Sequence, residues 1–496
     1  MQENQEFEQK EQEKTENCEN LSNNSEISQE NLKTNNEQVA QKNKKQNNFE
    51  RKLDGYFKYT AMGSSLKKEF FGGFVNFLVI AYVLIVVPSL FSPIGGEQLW
   101  RAIFLATILT TFLATICMGF YANLPIVLAP GIGLVSYTVQ LVVSGAYSLS
   151  QAMALCFLAG VLFLILTITG LRKKLVKAIP DCIKVAIPCG VGLFVLNIGL
   201  NSSNSGILDM LNGTAMSYAP IVALVSFFVM AILYIRNVKG SILIGIASGT
   251  VLDLIIKLCK KINPFANVSG GNFVPPFKDL IDQTLLNFDF AGLFKGNLAS
   301  CIVSVLLIVF AITLMDMFDT VGTLYATAGK GNLLDDKGEV VNMDRAMMID
   351  GCSAMFSSLI GIPSATSYVE SSAGIASGAR TGLSSIFTGL LFLLTMFFSP
   401  IVQLIPVYAT APALVLVGIL MFDSVLKVNF KDLAFTIPSI LTLIIMPLSS
   451  NITYGIAVGI ISYVVLMLGT KRAKQINVFT YIIALLFVLY FILQYV

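Results

Sequence analysis

The sequence contains no histidine. That excludes a His-based catalytic triad, a His metal site and a His proton relay, so any proton chemistry falls to carboxylates. Charge is scarce as well: Asp, Glu, Lys and Arg make up 13% of the chain, about half the share of a soluble domain. A soluble fold is therefore excluded. The net charge of +3 is small and its Lys and Arg are scattered among loops, which gives no basis for a nucleic-acid partner. The eight cysteines form no Cys-x-x-Cys pair and most lie in or beside apolar runs. They read as small core residues, with no disulfide framework, metal or cofactor implied.

What the chain has in abundance is apolar sequence, 55% of it hydrophobic. Residues 1–52 stand apart, being almost all Asn, Gln, Glu, Lys and Ser. Such a segment cannot bury enough surface to offset its ordering entropy, so a disordered cytoplasmic tail is expected there. It has no basic start followed by an apolar stretch and does not resemble a signal peptide. From about Phe70 the chain reads as successive apolar stretches of bilayer-spanning length, which predicts an all-α membrane protein of fourteen spans. The polar interruption at 260–298 separates two groups of seven, 53–259 and 299–470. A further apolar segment within 471–496 is either another span or an interfacial helix.

Short loops rich in Lys and Arg stay in the cytoplasm. With a cytoplasmic N-terminus, the clusters Arg172-Lys173-Lys174, Arg236 to Lys239, Lys330 to Arg345 and Lys471-Arg472 all fall inside. The 260–298 loop is then extracellular, although it carries Lys260 and Lys261.

Two spans are unfit for continuous helix. The third contains Pro125, Pro130, Gly131 and Gly133; the tenth contains Gly361, Pro363 and Gly374 among many hydroxyl side chains. They occupy the same place in the two groups of seven. Interrupted spans in corresponding halves point to a transporter binding site, because freed backbone is tolerated in lipid only where it is buried or lines a cavity.

Acidic residues inside spans are the second signal. An acid at a span centre costs about 2.5 to 3.5 kcal/mol, so it normally faces a polar interior. Asp316 and Asp319 lie in the eighth span, Asp350 in the ninth and Glu370 in the tenth. Asp316 and Asp319 are three apart and share a helical face. If both were ionised in an apolar environment they would repel, which favours a proton on one of them, as a proton-coupled carrier requires. Asp350 and Asp316 are the candidates for a structural, supporting role. Arg380 either snorkels to the interface or pairs with an acid of the core. An intramembrane aspartyl protease would need a Gly-x-Gly-Asp motif in its second span, and there is none.

The motifs now suffice for a comparison. Tyr121-Ala-Asn-Leu-Pro125-Ile-Val-Leu-Ala-Pro130-Gly131-Ile-Gly133-Leu134, Phe318-Asp319-Thr-Val-Gly-Thr-Leu324 and Ser367-Tyr-Val-Glu370-Ser-Ser-Ala-Gly374-Ile-Ala-Ser-Gly378-Ala-Arg380-Thr-Gly382 resemble the signatures of AzgA-like purine permeases. These belong to the xanthine/uracil permease superfamily. The likeness runs from about Leu53 to the C-terminus and includes Tyr408-Ala-Thr-Ala-Pro412 and Ile445-Met-Pro447. It implies two inverted seven-helix repeats, a core domain of spans 1–4 and 8–11, and a gate domain of spans 5–7 and 12–14. It also implies purine-base uptake coupled to protons at the plasma membrane. Members often work as dimers, so a homodimer is expected.

By the same resemblance Asp319 and Glu370 hold the base and carry the coupling proton, and Asp350 matches the ninth-span acid. In our own reading, backbone amides around Gly133 to Val135 and at Ser371, with the Ser136, Thr323 and Ser367 hydroxyls, would complete the polar lining. Two departures stand out. An Asn usual beside the base is Val135 here, and the Asn-Pro usual at the end of the first span is Val87-Pro88. Rival readings are a carrier of another nucleobase, such as xanthine or uracil, and a membrane receptor that binds a base without moving it.

Overall fold

In lipid a chain satisfies its own backbone most simply as helix, and the computed structural model of the chain is built from helices. It describes residues 48–171, 179–201, 207–211, 218–261, 274–295, 298–331, 333, 340–428 and 430–495. The cluster at Arg172, most of the 1–52 tail and the middle of the central loop lie outside these residues. The chain divides into two units, 1–66 and 67–496. In the first, helix α1 (Asn48–Phe57) ends in a turn where Asp54 Oδ1 accepts the Thr60 N–H at 2.9 Å.

Apart from its first residue, α2 (Leu66–Ile80) opens the second unit, and with α3 (Val83–Leu90) it forms one apolar stretch interrupted at Ala81-Tyr82. Pro88 does not end it, since α3 continues to Leu90. Next come α4 (Glu97–Cys117), strand β1 (Leu128–Pro130), α5 (Ile132–Val143) and α6 (Leu149–Ile168). A capping box starts α6: the Ser148 hydroxyl accepts the Gln151 N–H and the Gln151 side chain accepts the Ser148 N–H, satisfying two orphan donors. Helices α7 (Asp181–Leu200), α8 (Ala219–Ile235) and α9 (Ser241–Cys259) follow.

The central segment is more structured than a polar loop. Helix α10 (Phe277–Gln283) is tied to α4 by Arg101, whose Nε donates to Asp279 Oδ2 at 2.7 Å. The second half then runs α11 (Leu298–Gly331), α12 (Met343–Ile360), β2 (Ala365–Ser367), a 3₁₀ turn at Val369–Ser371, α13 (Ser372–Ala376), α14 (Gly382–Leu394), α15 (Val407–Met421), α16 (Leu433–Ser449), α17 (Ile452–Gly469) and α18 (Val478–Tyr495). At 34 residues α11 is about 51 Å long, more than a bilayer's apolar thickness of about 30 Å.

Among the described residues, eight helical stretches are long and apolar enough to cross a membrane, and five shorter apolar helices accompany them. The two halves interleave rather than standing side by side. Helices α4 and α6 pack on α14, α12 and α11; α7 packs on α15 and α16; α8 packs on α9 and α15. Helix α18 lies along α17 and α11, with Phe487 fully buried and the Tyr454 and Phe491 rings 5.7 Å apart.

Candidate functional site

The site begins with backbone. Pro130, Gly131 and Gly133 deny the third segment a continuous helix, and Pro363 does the same near Gly361. The freed stretches find each other: β1 and β2 pair antiparallel with Leu128 opposite Ser367, Ala129 opposite Thr366 and Pro130 opposite Ala365. The ladder extends at both ends, with Gly131 N–H donating to the Ser364 carbonyl at 3.1 Å and Tyr368 N–H donating to the Val127 carbonyl at 3.0 Å. Side chains take up the remaining groups. Thr115 Oγ1 donates to the Leu128 carbonyl and accepts its N–H, Ser371 Oγ accepts the Val127 N–H, and the Tyr368 hydroxyl donates to the Pro130 carbonyl at 2.6 Å. Non-helical backbone is thus sealed inside protein, as lipid requires.

From this crossing the chain leaves in two directions. Helix α5 starts at Ile132, and its first turn carries the positive end of its dipole. The 3₁₀ turn at Val369–Ser371 leads into α13, which stops at Gly378, where φ is +106°. Arg380 closes that end: its Nη1 donates to the carbonyls of Ile375 at 2.6 Å and Ala379 at 2.7 Å. Its backbone N–H donates to Glu69 Oε1 at 2.9 Å. The guanidinium therefore caps a helix C-terminus, a placement the dipole favours.

Around the crossing lies a cavity of about 680 Å³, counting the part open at its mouth. Asp319 from α11 and Glu370 from the 3₁₀ turn both line it, with Gly133, Thr323 and Ser367. Asp319 Oδ2 accepts from Thr366 Oγ1 at 3.2 Å, and Glu370 Oε1 accepts from the Tyr82 hydroxyl at 3.1 Å. The Ser367 hydroxyl is buried without a hydrogen-bond partner among the described residues, and so is available to a ligand. Gly133 permits the wall opposite: a Cβ there would stand 2.5 Å from Val191 Cγ1 of α7. Apolar contact comes from Ile132, Pro188, Val191, Met315, Val417 and Met421.

Five other residues singled out from the sequence lie outside this lining. Val135 and Ser136 are fully buried on α5, and the Val135 N–H is taken by the Gly131 carbonyl at 2.8 Å. Ser371 supports the β1 backbone. Asp316 lies behind the ladder, accepting from Ser364 Oγ. Asp350 is buried on α12, away from the cavity.

Sequence reasoning passed over Tyr82, Thr366 and Tyr368. Thr366 and Tyr368 sit in the hydroxyl-rich broken segment and were within reach of the pattern. Tyr82 was not, since nothing before Pro88 marks a break. Asp253 was also overlooked: it is fully buried on α9 and accepts from Tyr408 at 2.5 Å and Tyr218 at 3.2 Å.

A second cavity, about 1630 Å³ with its open part, adjoins the first. The two share Val369, Glu370, Val417 and Met421. Its other walls include Tyr234, Gly240 and Ser241 between α8 and α9, and Phe422 and Leu426 beyond α15.

Comparison with known proteins fits this arrangement. Among solved structures, the chain resembles the transmembrane domain of the cyanobacterial bicarbonate transporter BicA, with a TM-score of 0.55 at 14% identity over 82% of this chain and 97% of that one. It also resembles the murine Solute Carrier 26 family member A9 anion transporter in its inward-facing state, with a TM-score of 0.57 at 14% identity over 82% of this chain and 69% of that one. At such identity the likeness shows a shared fold. In sequence it is 34% identical over 444 residues to adenine permease AdeP of Escherichia coli, covering 88% of this chain and 95% of the relative. It is 33% identical over 451 residues to guanine/hypoxanthine permease PbuG of Bacillus subtilis, covering 88% and 99%. The xanthine/uracil model of the Permease family matches residues 67–488. With its many apolar helices, the chain is a multi-pass membrane protein, a transporter rather than an enzyme, and it belongs to the xanthine/uracil permease family.

Proposed function

We propose that this permease imports purine bases across the plasma membrane, hypoxanthine and guanine first and adenine within reach, each with a proton. The observation that carries this reading is the convergence of Asp319 and Glu370 on one cavity beside the first turn of α5. An ionised carboxylate only accepts hydrogen bonds, and a purine offers ring N–H and amino hydrogens along its edge. The unpartnered Ser367 hydroxyl adds a donor for a ring nitrogen or carbonyl, and the apolar wall suits a flat ring. The sequence relatives include adenine and guanine/hypoxanthine permeases, which supports the purine class.

In this reading fourteen spans form two inverted repeats, and the N-terminus lies in the cytoplasm. A core holding β1, β2 and their neighbours moves against a gate of spans 5–7 and 12–14, in a homodimer. The second cavity is walled by Gly240 and Phe422, which the charge pattern places at the cytoplasmic face. The conformation described is then open inward, with Glu370 at the junction of pocket and exit. A proton taken up with the base outside and released inside drives accumulation.

Uptake of radiolabelled hypoxanthine, guanine and adenine into cells or proteoliposomes tests this. Asp319→Asn and Glu370→Gln each remove a charge-assisted hydrogen bond of about 1.5 to 3 kcal/mol, so affinity should fall about 10- to 150-fold. Unchanged uptake of all three bases in both variants would overturn the site. Uptake should also rise as external pH is lowered from 7.5 to 5.5; a flat response removes the proton and leaves the carrier. Saturable binding without accumulation would identify a receptor instead, and preference for xanthine or uracil another cargo.

A further inference from the structure

Both carboxylates of the cavity are already half engaged by hydroxyls of the protein. Tyr82 donates to Glu370 Oε1 at 3.1 Å, and Thr366 donates to Asp319 Oδ2 at 3.2 Å. Tyr82 is wholly buried and comes from the Ala81-Tyr82 interruption between α2 and α3, which turns its ring toward the crossing. Thr366 is held in the middle of β2, opposite Ala129, so its side chain is fixed by the ladder itself. Each acid keeps one oxygen not shared with these hydroxyls, Glu370 Oε2 and Asp319 Oδ1.

We infer that Tyr82 and Thr366 are specificity-determining residues of the base site, an inference that rests on the purine reading of that site. By taking one lone pair on one oxygen of each acid they fix its rotation and leave one unshared oxygen on each. That pattern fits a planar ring with one N–H near each acid. It is a poorer match for a ligand whose adjacent N–H groups fork onto one carboxylate, since one arm of the fork must share its oxygen with the hydroxyl already bound there. Hypoxanthine has a single N–H on its six-membered ring; guanine has an amino group next to it and can fork. The Tyr82 hydroxyl thus holds Glu370 in a form that does not reward guanine for its extra donor.

Tyr82→Phe tests this directly, because it removes only the oxygen. Measured as Vmax over KM for uptake in proteoliposomes, hypoxanthine should fall about tenfold while guanine falls little or gains. The guanine-to-hypoxanthine ratio should therefore rise about tenfold, with the change carried by KM. A merely structural tyrosine would lower both bases together and leave the ratio in place; that result overturns the inference. Thr366→Val is the second variant, isosteric and acting on Asp319. It should raise hypoxanthine KM by a similar factor, and an unchanged KM counts equally against the proposal. Glu370→Gln, run in parallel, separates the two levels of argument. If it leaves all uptake intact, the site reading itself falls. If it impairs uptake while Tyr82→Phe and Thr366→Val leave KM and ratio unmoved, only the specificity role falls.

Discussion

Ser364 and Asp316 stand 2.6 Å apart, hydroxyl to Oδ2, entirely inside the protein. The same Ser364 accepts the Gly131 N–H through its carbonyl, so Asp316 fixes the residue that extends the β1–β2 ladder toward α5. Of two acids three residues apart on α11, one faces the cavity and the other holds the backbone that shapes it. Asp316→Leu should cost about 1 to 3 kcal/mol, as expected when a buried polar partner is lost, and Asp316→Asn, which keeps an acceptor, less than half of that. Thermal unfolding in detergent checks both, and equal losses would show that charge rather than the hydrogen bond matters.

Asp253 has three direct partners in a small network at α8, α9 and α15. The Tyr408 and Tyr218 hydroxyls donate to Oδ1, Lys257 pairs with Oδ2 at 2.8 Å, and Lys260 lies over the Tyr218 ring at 4.4 Å. Breaking a buried pair from one side costs about 3 to 5 kcal/mol. Because Lys257 is 23% exposed and can turn to water, the lower end applies. Asp253→Leu should therefore lower the melting temperature by the lower amount, while Lys257→Met, which leaves a fully buried carboxylate without its cation, should lower it more; thermal unfolding in detergent checks the order.

The π-helical turn Met118–Ala122 that continues α4 meets the start of α14 at two glycines. A Cβ on Gly382 would stand 2.0 Å from the Gly119 carbonyl oxygen, a backbone atom that cannot rotate away. Gly382→Ala should therefore cost about 1 to 3 kcal/mol through overpacking, and the variant should accumulate poorly in membranes. Gly322→Ala, with open space around it, is the control and should be neutral.

Asp432 precedes α16, where it accepts from Arg472 and from the Ala434 N–H at 3.0 Å. The Arg472 guanidinium, then the backbone N–H, hold its carboxyl below the usual range. A carboxyl depressed in the folded state stabilises above its unfolded value of about 3.9 and ceases to do so as pH falls toward the folded value. The stability gap between the wild type and Asp432→Asn should be present at pH 5.5 and shrink below pH 4. It should also narrow in 1 M salt, since the pair is partly exposed.

Much of this was legible in the sequence, for identifiable reasons. Prolines and glycines at 125–133 and 361–374 are local signals, and they marked both segments that meet in the ladder. Acids in apolar runs are equally visible, so Asp319 and Glu370 could be named before any fold. What the sequence could not convey is direction. Asp316 and Asp319 share a helical face by spacing, yet only the position of Ser364 and Thr366 decides that one supports and the other lines. Val135 and Ser136 belong to the motif expected beside a base, but the rotation of α5 turns them into its packing face. Tyr82 carried no signal because the interruption of the first stretch involves neither proline nor glycine. Asp253 sits four residues before Lys257, a spacing that reads as an ordinary helical pair and hides the tyrosines that converge from α15 and the start of α8.

The ladder also has a consequence for biosynthesis. The Tyr368 hydroxyl and the Pro130 carbonyl it binds are 238 positions apart in the chain, and every rung joins segments from opposite halves. When the ribosome has delivered Leu128–Pro130 to the membrane, the partner for that backbone does not yet exist. At about 5 to 20 residues per second, roughly 10 to 50 seconds pass before Ala365–Ser367 emerges. During that interval the open strand must be sheltered from lipid by the insertion machinery or by temporary helical bonding. The cavity beside the ladder is thus among the last features to mature, and any nascent chain arrested before Ala365 is left with exposed polar backbone, a mark by which membrane quality control can recognise it.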